Sequence, residues 1–342
     1  MRNKKSSAAI SYTIITAATL LLSLVLILLV GSDVGAALAG FIRGSFGSAY
    51  SFAEVLVKTI PLTLCGLSVA VGFRSGFTNI GAEGQFYIGA VLTTYVGMYW
   101  TNLPGWLLLP VGMILGFIGG GIWAMIPGIL RAKFGISEAI NTIMFNYIAT
   151  GIVGILLQTG LKSPDAYYPV SSYIPESMYL PTLIPGTRLH AGLIVALVCA
   201  VGVYVLIWRS WLGFQIRAVG LNPRASQCSG IPVARSIILS SLIGGGLAGL
   251  AGVCEIAGLQ HRMMEGISPG YGYLAIVAAL LGNNSPAGVV LASFGIAIIQ
   301  VGAQGMQRSA GVPTAIANII LGSVVLLILA RHMILRRLNK EG

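Results

Sequence analysis

Apolar residues come in long unbroken runs separated by short polar gaps, a scale far above the period of a half-buried strand or a surface helix. A helix needs about 20 apolar residues to cross the hydrocarbon core of a bilayer. Runs of this kind fall at 10–30, 54–73, 86–101, 105–128, 139–160, 191–208, 236–257, 286–303 and 313–330. A shorter tenth run, 273–283, closes on Asn283-Asn284-Ser285-Pro286. The pattern predicts an all-α integral membrane protein with about ten transmembrane helices, and treats 1–342 as a single polytopic domain.

Basic residues in short loops collect on the cytoplasmic side of membrane proteins. With the N-terminus inside, ten spans place fourteen Lys and Arg inside, among them Arg74, Arg131, Arg209 and Arg217. Five fall outside (Arg43, Lys162, Arg188, Arg262 and Arg308), and Lys58 lies within a span. Nine spans would put the two basic termini on opposite sides. The expectation is therefore ten helices with both termini cytoplasmic. Arg2, Lys4 and Lys5 ahead of the first run could open a signal peptide, but that run exceeds the usual 7–15 residues and reads as a retained helix. The outer loop 161–190, with Tyr167, Tyr168, Tyr173 and Tyr179, has the composition of an interfacial cap.

Composition agrees: 56% of residues are apolar and only 8% charged, where a soluble protein carries about 25% charged residues. Forty-six glycines without a G-X-Y period point to helices packed backbone to backbone. The net charge of +11 is not a nucleic-acid signal, because no basic run is interleaved with aromatics. The four cysteines are too widely spaced for a disulfide framework or a metal site.

Two stretches do not read as plain spans. One is 72–85, Gly-Phe-Arg-Ser-Gly-Phe-Thr-Asn-Ile-Gly-Ala-Glu-Gly-Gln; the other is 265–273, Glu-Gly-Ile-Ser-Pro-Gly-Tyr-Gly-Tyr. Glycine-interrupted segments at matching places in two halves mark inverted-repeat transporters. Helices 2–5 and 7–10 would form those halves, with the sixth as connector; the alternative is two tight loops. The orientation puts the first stretch at the inner face and the second at the outer face.

Polar residues inside spans are functional candidates by default. Asn79, Glu83, Gln85, Asn146 and Glu255 are the candidates for the pathway and the broken helix. Glu83 and Gln85 could serve by satisfying backbone that glycine frees. Asn146 could face the pathway or bond a neighbouring helix. Glu255 could line the pathway, pair with Lys58 or reach the outer interface. Phe145, Tyr147, Gln158, Gln300 and Gln304 are further amides and aromatics that could face a pathway.

The gap 209–235 carries its own helix signal. Asn222 is a good N-cap, Pro223 fits the first helical position, and Gly230 suits the position after the end. A helix over 223–229, outside the membrane, is expected to be a docking knob or else one turn in a solvated loop. Catalytic signals are missing. No G-x-x-x-x-G-K-[ST] loop, H-E-x-x-H or G-x-S-x-G occurs, and His190, His261 and His332 stand isolated near membrane edges. No catalytic and no metal residue is expected.

Gly76-Phe-Thr-Asn-Ile-Gly-Ala-Glu-Gly-Gln85 and Arg217-Ala-Val-Gly-Leu-Asn-Pro-Arg-Ala225 followed by Ser229-Gly-Ile231 resemble signatures of ABC-importer permeases of the branched-chain amino acid, ribose and nucleoside class. The similarity extends over 137–147 and the Gly-rich seventh helix, and is greatest to the nucleoside or simple-sugar permeases. The resemblance implies alternating access driven by separate ATPase subunits, which bind the ATP and Mg, so that this chain has no cofactor. It implies a second permease (a copy or a homologous chain) and an extracytoplasmic solute-binding protein. It also implies that the 222–230 loop, with Asn222, Pro223, Arg224 and Gly230, inserts into the ATPase. An ion-gradient-driven secondary transporter is the alternative, with Glu255 as its carboxylate.

Overall fold

The computed structural model describes residues 21–323, except 22, 23, 26, 101, 314, 317, 320 and 321. In chain order the helices are α1 (Val34–Phe46), α2 (Ala49–Arg74), α3 (Ala82–Tyr99), α4 (Gly105–Phe134), α5 (Glu138–Gln158) and α6 (Gly192–Arg209). They continue with α7 (Trp211–Leu221), α8 (Pro223–Cys228), α9 (Val233–Glu255), α10 (Tyr271–Leu281) and α11 (Pro286–Ala310). Among the described residues no strand forms, and six helices are long and apolar enough to cross a membrane: α2, α4, α5, α6, α9 with its extension, and α11. The fold is that of an all-helical integral membrane protein. The apolar runs at 10–30 and 313–330 lie for the greater part outside the described residues. Neither α1 nor α7 was anticipated from the apolar runs.

The described residues form two compact units, 21–55 with 295–323, and Leu56–Phe294. In the first, the Asp33 carboxylate caps α1 by accepting from Ala36 N at 2.6 Å. The buried face of α1 is Ala37, Gly40, Gly44 and Ser45, small residues that let it lie against α11. A Cβ on Gly44 would sit 2.7 Å from the Gly305 Cα, and Ser45 Oγ donates to the Ile298 carbonyl at 3.2 Å.

The second unit is built on a seam of glycines. Gly112, Gly116 and Gly120 are buried along α4, and Gly245, Gly249 and Gly252 along α9. A Cβ on Gly249 would overlap the Gly116 carbonyl oxygen, and one on Gly245 the Gly120 carbonyl oxygen. α3 joins the same seam: Cβ atoms on Gly89 and Gly252 would overlap the carbonyl oxygens of Gly249 and Phe86. Lipid offers no hydrophobic drive for helix association, so close backbone packing supplies the attraction instead.

α9 does not end as an α-helix. Its last turn widens to a π-helix over Ile256–Gln260, and His261 follows in the left-handed region at φ 56°. Loop 161–190 is strapped to this end. Leu180 N donates to the Ala257 carbonyl at 2.9 Å, Ile174 N to the His261 carbonyl at 2.9 Å, and Ser171 N to the Met263 carbonyl at 2.8 Å. The Tyr179 ring stacks on His261 with centroids 3.7 Å apart.

His190 lies in the same place, 2% exposed, over Gly258, where a Cβ would collide with its ring. Far from being isolated, His190 and His261 are close enough to act on one another. Burial first, and then His261, push the His190 imidazole down to about 4. The geometry favours the same form, since His190 Nδ1 accepts from Gly192 N at 3.2 Å and a proton there would meet that N–H. The neutral ring is favoured in the fold, so its stability is complete above the unfolded value of about 6.5 and is lost as pH falls from there toward 4. Thermal unfolding of the purified chain should reveal a loss of about 3 kcal/mol between pH 7 and 4 that is absent in His190→Gln. Parallel pH curves for the two proteins would remove His190 as the cause.

Candidate functional site: a polar junction between two broken helices

α2 ends at Arg74, and the chain leaves it with Ser75 N and Phe77 N both donating to the Gly72 carbonyl at 3.0 Å. From there to Ala82 the backbone has no helical partners, and buried backbone groups without partners are costly in a membrane. Side chains supply them. Asn146 of α5 bonds the segment twice, taking Gly84 N on its Oδ1 at 2.8 Å and giving its Nδ2 to the Ile80 carbonyl at 2.9 Å. Thr142, one helical turn earlier, accepts from Ile80 N at 3.2 Å. Asn79 Oδ1 accepts from Gly81 N at 3.0 Å.

Asn79 and Gln85 also pair amide to amide. Gln85 Nε2 donates to Asn79 Oδ1 at 2.9 Å, and Asn79 Nδ2 donates to Gln85 Oε1 at 3.1 Å and to Ser68 Oγ at 3.2 Å. Each is 1% exposed. Their polar capacity is therefore taken up inside the protein.

Glu83 crosses to the second broken segment. It stands in the first turn of α3, and its Oε2 accepts from Gly272 N, in the first turn of α10, at 2.7 Å. The Ser268 side chain bonds Glu83 as well, while Ser268 Oγ accepts from Tyr271 N at 3.0 Å. Gly272 is required by this approach: a Cβ there would overlap the Glu83 backbone. Two helix N-termini thus meet on one carboxyl group, where unsatisfied N–H groups favour an acceptor. Each broken segment turns into the protein, and their helix starts touch although they are 189 residues apart in sequence.

Glu255 is not part of this junction. It is 4% exposed, accepts from Gln260 Nε2 at 3.1 Å across the π turn, and has Arg188 and Lys58 within electrostatic reach.

At the other end of α10, Arg74 donates through Nε to the Asn284 carbonyl and through a terminal nitrogen to the Asn283 carbonyl, both at 3.1 Å. Its guanidinium lies over Trp208, 5.1 Å from the ring centroid. α7 packs on the same point: a Cβ on Gly220 would overlap the Arg74 carbonyl oxygen. Directly after α7, Asn222 Oδ1 accepts from Ala225 N at 3.1 Å and Pro223 opens α8. Ile231 N donates to the Ser226 carbonyl and Gly230 N to the Gln227 carbonyl, each at 3.0 Å, with Gly230 at φ 78°. That is a Schellman end with glycine in its required place. Arg224 and every other residue of α8 except Ser226 are at least partly exposed.

Asn79, Glu83, Gln85 and Asn146 are therefore brought together, Asn222, Pro223, Arg224 and Gly230 form a separate capped knob, and Glu255 stands with other partners. Sequence reasoning singled out the segment that holds Ser268 and Gly272 but not those two residues, and it missed Ser68 and Thr142. Hydroxyls in apolar runs were the available signal, but nothing local names their partners.

Helices interrupted within the membrane and rejoined by buried polar groups are the construction of transport proteins. The chain belongs to the family described as branched-chain amino acid transport system / permease component, which residues 51–329 match. It is 36% identical over 327 residues, 93% of each chain, to the guanosine ABC transporter permease protein NupP of Bacillus subtilis. It is 35% identical to the glucose ABC transporter permease protein TsgB13 of Haloferax volcanii, over 84% of this chain and 78% of that one. The nucleoside ABC transporter permease protein NupB of Lactococcus lactis subsp. cremoris is 34% identical over 85% of this chain and 82% of its own.

Proposed function

We propose that this chain is the membrane permease of an ATP-driven importer that carries a nucleoside or, as the second choice, a simple sugar. The observation that carries the reading is α8: a capped, exposed helix of six residues, rooted through α7 on Arg74 at the base of the broken helices. A groove of about 540 Å³ runs beside it, lined by Trp211, Phe214 and Leu221. The similar proteins named for guanosine and nucleoside transport support the cargo. Partner ATPase subunits bind ATP and Mg, a solute-binding protein delivers the cargo, and a second permease, copy or homologue, completes the pathway. The proposed topology is ten helices with both termini cytoplasmic in a bacterial cell membrane, so that α8 faces the ATPase.

In this reading a push on α8 passes through α7 to Arg74, and from Arg74 to the carbonyls that end α10. The far end of α10 rests on Glu83, so one chain of contacts links the docking knob to the junction. The ion-gradient alternative is not favoured, since the similar proteins are named as ABC transporter permeases.

Gly230→Val tests the coupling. A β-branched residue is strained at positive φ, and nothing lies within 4 Å of a Cβ there, so only the helix end is disturbed. Guanosine uptake by cells carrying the whole importer should fall at least tenfold, while membrane insertion and ATP hydrolysis persist. Gly230→Asn, which tolerates the left-handed region, should retain most uptake. Full uptake by the valine variant would sink the docking role.

A further inference from the structure

A cavity of about 500 Å³ opens against the junction, lined by Tyr87 of α3, Tyr147, Thr150 and Gly154 of α5, and Glu265 and Gly266 of the second broken segment. Its size is that of a small-molecule site. Its Tyr87 wall continues into the junction. The Tyr87 hydroxyl reaches the backbone of Ser268, the residue whose side chain also bonds Glu83. Tyr147, on the facing wall, follows directly after the junction residue Asn146 in α5.

Tyr147 is 63% exposed while Tyr87 is only 5% exposed, so one ring is free to move against a solute and the other is fixed. Glu265 is exposed and stands beside Gly154, where a Cβ would lie 3.3 Å from its Oε1. A carboxylate, a hydroxyl and tyrosines facing one space are not what a lipid-covered surface carries.

The lining also says what could enter. A carboxylate can accept from two neighbouring hydroxyls of a sugar, as acidic residues do with ribose. Tyrosine rings offer flat faces to a planar heterocycle. The lining residues include no Lys, Arg or His, so a phosphorylated solute would meet Glu265 uncompensated. The junction amides of Asn79, Gln85 and Asn146 are held by each other and by the backbone, and this cavity is an exposed polar surface beside them.

We propose that this cavity is the solute subsite of the permease, taking an uncharged nucleoside with its sugar hydroxyls on Glu265 and its base against the tyrosine rings. The assignment rests on the importer reading, and two measurements separate them. The first needs no transport. Thr150→Cys, in a Cys228→Ser background because Cys228 is exposed, is treated with a water-soluble maleimide in permeabilised membranes. The thiol should react, and saturating guanosine should slow it at least fivefold. An unreactive thiol, or one that guanosine does not protect, overturns the subsite.

The second is guanosine uptake by cells carrying the whole importer. Glu265→Gln should raise the KM at least tenfold with little change in the maximal rate. Tyr147→Ala should also raise the KM, and Tyr147→Phe, which keeps the ring, should restore it. Unchanged KM values in Glu265→Gln and Tyr147→Ala overturn the subsite and leave the importer standing. Wild-type cells that take up neither guanosine nor glucose by ATP hydrolysis would instead overturn the importer, and the thiol reactivity would still report whether the cavity is wet.

Discussion

Gly249→Leu is expected to leave almost no folded protein in the membrane. A Cβ at that position would overlap the Gly116 carbonyl oxygen and lie 3.2 Å from the Gly120 Cα. In a side-chain core, overpacking costs roughly 1–3 kcal/mol, because rotamers shift to make room. Here the obstacle is backbone on a second helix, and α3 meets the same residue from another side through Gly89. No rotamer change relieves it, so the helices must separate. Fluorescence-detected size exclusion of a tagged chain should show at least a tenfold loss of the monodisperse peak. Gly202→Leu is the control, since Gly202 on α6 has nothing within 4 Å of a Cβ and should give wild-type yield. Equal yields from the two variants would mean that α4 and α9 are not packed through their backbones.

Glu83→Ala is expected to uncouple the two broken helices from each other. It removes the acceptor of Gly272 N and the partner of the Ser268 side chain. A buried donor left without a partner costs about 1–3 kcal/mol, and here two are left at a helix start inside the membrane. Guanosine uptake by the assembled importer should fall at least tenfold, with a lowered thermal midpoint in the purified chain. Glu83→Gln keeps an oxygen for Gly272 N and should fall between the alanine variant and wild type on both measures. An alanine variant with normal uptake and normal midpoint would show that the contact holds nothing together.

The features legible in the sequence are those set by neighbouring residues. Asn222, Pro223 and Gly230 specify α8 within nine positions, because an N-cap, a helix-start proline and a left-handed glycine each act on backbone a few residues away. The long spans are legible for a similar reason, since a run of apolar residues needs no knowledge of its partner. α1 escaped a reading based on length: at 13 residues it is too short to span, and its evidence lay in the Asp33 cap and the small residues at 37, 40 and 44. α7 had the corresponding signal in Ser210, whose Oγ accepts from Gly213 N at 3.0 Å.

The junction was only half legible. That 72–85 needs side-chain partners follows from its glycines, and Asn79 and Gln85 are close enough in sequence to be suspected of each other. That Asn146 serves both Ile80 and Gly84, or that Glu83 reaches Gly272, depends on how α5 and α10 are placed. No local rule carries that information.

Stiffness is distributed unevenly by this construction. Helices that touch through side chains can slide a little, because rotamers absorb the displacement. Where the carbonyl oxygens of Gly116 and Gly120 abut the backbone at Gly249 and Gly245, there is nothing to absorb it, so α3, α4 and α9 travel as one block. Displacement has to be taken up in stretches of chain that lack helix, among them 75–81 and 261–270. Both of these run to Glu83 and its neighbours, which makes that carboxyl group the pivot about which the block can tilt.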